Sequence, residues 1–280
     1  MAGHDINYLA VAGPLAALGR FGENPTPPAN ILADFSGGGM ICVLGILMAL
    51  IEREKSGQGQ VIDAAMIDGA AYLSTFVVKM NQSNLWNDSR GKNLLDTGAH
   101  FYETYKTKDG KFMAIGAIEP KFYRTLVTLL NLSATETLPT NNQFDKNQWP
   151  AMKLKFAKIF AQKTQAEWTA LLTGTDACAT PVLEWREVIR SQHYIDRWEN
   201  RSNEGDKRSN VDFMKWSPPP APILSRTPAR RPDGFKSDPD IGEHTVEVLK
   251  EYGISIHQIS SLQRDGVIGV AKEISQKSRL

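Results

Sequence analysis

Two hydrophobic periods run along the chain, and the helical one dominates. Residues 40–51 form an unbroken apolar stretch that Glu52-Arg53-Glu54-Lys55 closes, with Gly57 placed as a C-terminal stop. At about a dozen residues it falls short of the ~20 needed to cross a bilayer, and it predicts a buried helix rather than a membrane span. Asp34 or Ser36, just before it, suits the helix cap. Residues 60–66 read as a short strand and 68–78 as a mostly apolar helix. Further on, 101–105 and 111–118 flank Lys108-Asp109-Gly110, and Asp-Gly between β-prone segments predicts a hairpin. Helical spacing returns over 122–130 and 149–163, and Thr164 with Glu167 forms a capping box for the helix that follows. A strand over 179–183, a helix over 184–197 and a last helix over 242–252, capped by Gly253, complete the pattern.

The elements group into three blocks. Residues 1–98 have the helix–strand alternation of an α/β domain, and 99–199 look like a small α+β domain. Residues 200–280 begin as a polar, then proline-rich linker, with Pro218-Pro219-Pro220, Pro222, Pro228, Pro232 and Pro239, and end in helices. Composition adds little beyond excluding classes. Thirty-two basic and 31 acidic residues give a net charge of +1, so neither nucleic acid nor an anionic membrane is an expected partner. The two cysteines, Cys42 and Cys178, stand in neither a CxxC pair nor a Cys/His cluster, which argues against a disulfide scaffold and a zinc site. No pair among the five histidines has metal-ligand spacing.

Three residues stand out as chemistry. His4 lies in Gly3-His4-Asp5-Ile6-Asn7-Tyr8, although a residue so near a terminus ordinarily frays. Asp34 precedes Gly37-Gly38-Gly39 at a helix start, where it serves either as a cap or as an acid–base carboxylate beside amides that favour anionic oxygen. Glu119, followed by Pro120, suits a helix N-terminus through the dipole alone. The sequence has no GxGxxG, Walker or GxSxG motif, which removes support for nucleotide-driven or serine-hydrolase chemistry.

Taken together, GHDINYLA (3–10), ILADFSGGGM (31–40), GQGQVIDAAM (57–66), GAIEPKFY (116–123), DACATPVL (176–183) and IGEHTVEVL (241–249) resemble the α-methylacyl-CoA racemases, a branch of the class III CoA-transferases. The resemblance implies an α/β fold: the remainder of a Rossmann-like large domain, a small α+β domain, and a C-terminal arm returning to the large one. Family members carry a CoA-gripping nucleotide-fold segment ahead of the GHDINY motif. This chain enters the motif at once, so an incomplete fold with weakened CoA affinity is the expectation. By the same resemblance His4 and Asp34 are the catalytic pair, while Glu119 and Asn30 orient His4. Gly3, His4, Asp5, Ile6, Asn7, Tyr8, Gly37 and Gly38 line the substrate site.

The implied reaction interconverts (R)- and (S)-2-methyl-branched fatty acyl-CoA thioesters, as bile-acid and branched-chain fatty acid metabolism require. One base removes the α-proton, the thioester oxygen holds the charge as an enolate, and a second acid returns a proton to the other face. Amides near Asp34 and the glycines suit that oxygen. No cofactor is implied, CoA being part of the substrate. Two alternatives remain: a family III CoA-transferase with Asp34 as nucleophile, or a truncated, non-catalytic form. The resemblance further implies an interlocked homodimer. Ser278-Arg279-Leu280 resembles a peroxisomal address and so implies an import receptor as partner and the peroxisome as location, with the mitochondrion as a second compartment.

Overall fold

A computed structural model describes residues 2–132, 142–196, 213, 216–229 and 239–270. The chain divides into two units, Met1–Val182 and Leu183–Leu280.

The first unit opens with α1 (Asp5–Ala12), entered from an extended His4 and stopped by Gly13, whose φ of 101° only glycine adopts readily. A loop follows, closed by the bond from Thr26 N to Leu18 O (3.0 Å). Two left-handed residues, Ala29 (φ 51°) and Asn30 (φ 62°), then turn the chain into a wide π-helical segment, Ile31–Met40. That segment runs directly into α2 (Ile41–Ser56), which Gly57 ends at φ 73° by donating its N–H to Arg53 O. Next come α3 (Met66–Leu73) and α4 (Thr75–Gln82). The single helix expected over 68–78 is broken at Ser74, whose hydroxyl bonds back to Ala70 O at 2.8 Å and competes with the backbone ladder.

Small residues let these helices touch. A methyl group on Gly69 of α3 would lie 1.9 Å from Gly37 O of the π segment, and one on Gly37 would lie 2.7 Å from Ala70 N. Leu9, Ala33 and Ala70 form the buried centre of this cluster, with Ala12, Leu15, Leu32 and Met66 against it.

Two expectations are corrected here. Residues 60–66 form no strand: 60–65 form neither helix nor strand, Met66 already begins α3, and Val61 is 96% exposed. β-prone residues make a strand only where a neighbouring strand takes up their hydrogen bonds, and among the described residues none lies alongside. The apolar run 40–51 is helical as expected, but α2 contains no buried residue, and Val43, Leu47, Met48 and Ile51 are at least half exposed. Contacts with α1 and α3 fall mainly on the π segment and leave most α2 side chains exposed. Counted as one element, Ile31–Ser56 has 26 residues and a mean hydropathy of 1.9 over its most apolar stretch. By length and composition alone it is long and apolar enough to cross a membrane.

The hairpin forms as the Asp-Gly turn predicts. β1 (Tyr102–Lys106) pairs antiparallel with β2 (Phe112–Gly116), Tyr102 facing Gly116 and Lys106 facing Phe112. Gly110 takes the left-handed turn position (φ 82°). β3 (Ala179–Pro181) adds antiparallel to β2, giving the order β1-β2-β3. Three helices complete this part: α5 (Pro120–Leu129), α6 (Trp149–Phe160) and α7 (Gln165–Leu172). The capping box on α7 is present, with Glu167 N donating to Thr164 Oγ1 and Thr164 N to Glu167 Oε2. The core is aromatic and includes Phe101, Tyr105, Tyr123, Phe156, Phe160 and Trp168. His100 is fully buried among these rings with its Nε2 3.0 Å from Tyr123 Oη, and burial pushes its pKa down to about 3. It is therefore a neutral packing residue rather than an acid–base one.

Glu103 of β1 ties the loop after α1 to this core. Its side chain is 3% exposed; it receives two bonds from Arg20 (2.7 and 2.8 Å), one from Lys153 of α6 (2.8 Å), and one from Thr104 N (2.7 Å). Burial pushes the carboxyl upward, yet the bonds from Arg20, Lys153 and Thr104 outweigh it and hold the group below its ordinary value of 4.5. A pKa lowered by folding contributes stability that is full above the unfolded value and lost as pH falls through the folded one. Glu103→Gln should accordingly cost about 2 kcal/mol at neutral pH, the range for hydrogen bonds to a charged group. Its stability gap to the unaltered chain should shrink below the ordinary value of 4.5. Thermal melts of both chains at neutral and acid pH check this; a gap that stays constant would mean that Glu103 acts by shape and not by charge.

In the second unit, the helix expected over 184–197 is two short ones, α8 (Trp185–Val188) and α9 (Gln192–Tyr194). Ser191 separates them by capping the second, its Oγ accepting from Tyr194 N at 3.2 Å. Trp216 Nε1 donates to Tyr194 Oη at 2.8 Å, and the Arg186 guanidinium lies 4.7 Å from the Phe213 ring centre. α10 (Thr245–Glu251) and α11 (Ile256–Arg264) follow, with Gly253 at φ 79° between them and Ser255 capping α11. Residues 217–229 of the proline-rich stretch form neither helix nor strand, and Ser278-Arg279-Leu280 lies outside the described residues.

Candidate active site

The site forms where the first turn of α1 meets the start of the π segment. Helix geometry leaves the first amides of any helix without intrahelical acceptors. For the π segment, the side chain of Asp5 takes up two of them: Oδ2 accepts from Ala33 N at 2.7 Å and from Asp34 N at 3.1 Å. His4 and Asp34, far apart in sequence, are thereby each brought to within one residue of a shared hydrogen-bonded carboxylate. His4 is exposed and Asp34 half-buried, so both are open to a substrate.

The wide π turn sets the carboxylate of Asp34. Asn30 Nδ2 donates to Asp34 Oδ2 at 2.7 Å, from an Asn30 backbone held in the left-handed region. Asparagine tolerates that region better than most residues. The hydroxyl of Ser36 closes the turn onto Ile31 O at 2.7 Å. The caps expected from Asp34 or Ser36 are thus supplied instead by Asp5. The amides of Ala33 and Asp34, two of those near Asp34 and the glycines that the sequence offered for an enolate oxygen, are engaged by that carboxylate.

The remaining motif residues take different places. His4 N donates to Asn7 Oδ1 at 3.1 Å, which fixes the start of α1. Gly3 sits against Tyr8, where an added methyl group would come within 3.4 Å of the ring. Ile6 and Asn7 are exposed and Tyr8 is half-buried, whereas Asp5 is buried. Gly37 is buried against α3, and Gly38 lies half-buried on the same segment. Glu119 stands apart, on the loop after β2. It is the exposed N-cap of α5, its carbonyl accepting from Phe122 N and Tyr123 N at 3.0 Å. Among the described residues no hydrogen bond joins Glu119 to His4.

The structural role of Asp5 was not visible in the sequence. Its partners lie 28 and 29 residues away, and neither a local spacing nor a period signals such a contact.

An imidazole and a carboxyl group, both accessible and carried by separate segments, are groups of the kind that take up and return protons. The comparisons agree in class. The sequence profile of CoA-transferase family III matches residues 1–245, and the chain belongs to that family. It is 53% identical to the α-methylacyl-CoA racemase of Mus musculus over 96% of this chain and 67% of that protein. The corresponding Homo sapiens racemase is 52% identical over the same shares. The fold matches a CaiB/BaiF family protein from Brucella suis with a TM-score of 0.61 at 21% identity, over 89% of this chain and 63% of that one. The chain thus spans about two thirds of the length of these relatives.

Proposed function

We propose that this chain is an isomerase that interconverts the two epimers of 2-methyl-branched acyl-CoA thioesters. The observation that carries the reading is the joining of His4 and Asp34 through Asp5, in a chain 53% identical to a mouse racemase of that activity. His4 removes the α-proton of one epimer, the electron pair moves onto the thioester oxygen as an enolate, and protonated Asp34 returns a proton to the opposite face. The other epimer reverses the roles. Ala33 N and Asp34 N are held by Asp5, and Asn7 N and Tyr8 N by His4 O; the leading amides of α1, those of Asp5 and Ile6, are the ones proposed for the enolate oxygen. Asn30 steadies the Asp34 carboxylate, and the resemblance assigns Glu119 to orient His4, although among the described residues no hydrogen bond joins the two.

The same reading takes the chain as one half of an interlocked homodimer. It places the chain in the peroxisome, with Ser278-Arg279-Leu280 as the import address and branched-chain lipid breakdown as its setting. It needs no cofactor. The Ile31–Ser56 helix carries Asp34 among contacts with α1 and α3, so it is read as a packing element and not as a membrane span.

Proton NMR in deuterated buffer tests the reaction. A 2-methylacyl-CoA of one configuration should lose its α-proton signal and yield both epimers. Retained signal from a folded sample, or a covalent acyl adduct on Asp34 found by mass spectrometry, would count against the racemase and, in the latter case, for a CoA-transferase using Asp34 as nucleophile.

A further inference from the structure

We propose that Asp5 is a positioning residue, a buried clamp that sets His4 and Asp34 at the spacing two-sided proton transfer requires; this rests on the racemase reading above. Asp5 lies in the first turn of α1, yet its carboxylate caps the start of a different helix, 28 residues further on. It is 1% exposed, so its carboxylate is closed off from solvent. Oδ2 accepts both Ala33 N and Asp34 N, while Oδ1 has no hydrogen-bond partner among the described residues. A fold rarely leaves a buried carboxylate oxygen unmatched. Its retention here fits a task other than filling space: holding two backbone segments through one rigid atom. His4 precedes Asp5 in the chain, and Asp34 donates one of the two amides, so a shift of the clamp moves both reacting groups at once. A misplacement of about 1 Å costs on the order of 10²-fold in rate.

Asp5→Ala, Asp5→Asn and Asp5→Glu separate positioning from mere stability. In Asp5→Ala, kcat for epimerisation should fall by about 10²-fold in both directions with KM nearly unchanged. Asn keeps an acceptor oxygen at the same distance and should restore kcat to within about tenfold of the unaltered chain. Glu, with its carboxylate one methylene further out, should stay as slow as Ala. Equal kcat for Glu and Asp, or a loss expressed only in KM, would overturn the clamp. Should Asp5→Ala not fold, the Asn and Glu variants decide on the same criterion. Backbone amide hydrogen exchange over residues 31–36 gives a readout independent of turnover: it should accelerate about tenfold or more in Asp5→Glu and little in Asp5→Asn. If the unaltered chain shows no α-proton exchange, the racemase reading fails on its own, while amide exchange still tests the clamp. Equal protection in all variants would refute it.

Discussion

His4→Ala should slow epimerisation of a 2-methylacyl-CoA severely and still permit α-proton exchange from one epimer, the one whose proton faces Asp34 on the proposed mechanism. Asp34→Ala should give the mirror result. On the proposed mechanism each group serves one face of the α-carbon, so removing either should stop inversion without silencing the other side. The expected loss in epimerisation is about 10²–10⁴-fold, the usual contribution of a positioned acid or base. Both side chains are exposed or half-buried, so circular dichroism and melting should remain close to those of the unaltered chain. Deuterium incorporation into each epimer, followed separately, checks the asymmetry. Near-normal inversion in both variants would remove these residues from the reaction. Symmetrical loss of exchange from both epimers would point to a single base acting on both faces.

The second large effect is on stability. Gly69→Ala should lower stability by about 3 kcal/mol, the upper part of the range for overpacking a close-packed contact. The added methyl group meets a backbone carbonyl, Gly37 O, at 1.9 Å, and not the far end of a flexible side chain. Helix α3 must therefore move off the segment that carries Asp34. For a unit of this size the melting temperature should fall by roughly 10 °C, and activity should fall with it. Gly59→Ala is a suitable control, since an added methyl group there meets nothing within 4 Å. Equal melting temperatures for the two variants would show that α3 yields at no cost.

Local chemistry was legible in the residues. The hairpin around Asp109-Gly110, the box of Thr164 with Glu167, and the stops at Gly57 and Gly253 each depend on neighbours a few positions away, and each formed where expected. The strand over 60–66 did not form, because a strand is completed by a partner that its own sequence does not contain. Nor was the apolar run 40–51 buried: apolar composition creates a demand for cover, but the covering surface is a property of other parts of the fold. The break at Ser74 had a local cause, a hydroxyl bonding back by four residues, which the apolar pattern around it concealed.

The candidate site divides in the same way. His4, Asn30, Asp34 and Glu119 were marked out by motifs, and family membership followed from them. The sequence alone thus determined the kind of chemistry and the helical or hairpin character of most segments, since both depend on residue type and short spacing. Only the tertiary structure decided that Asp5, next to His4, bonds the amides of Ala33 and Asp34, that the glycine run packs against α3, and that Glu103 fastens the loop after α1 to the aromatic core. Those contacts join residues tens of positions apart, and which buried donor meets which acceptor is settled only when the chain has closed on itself.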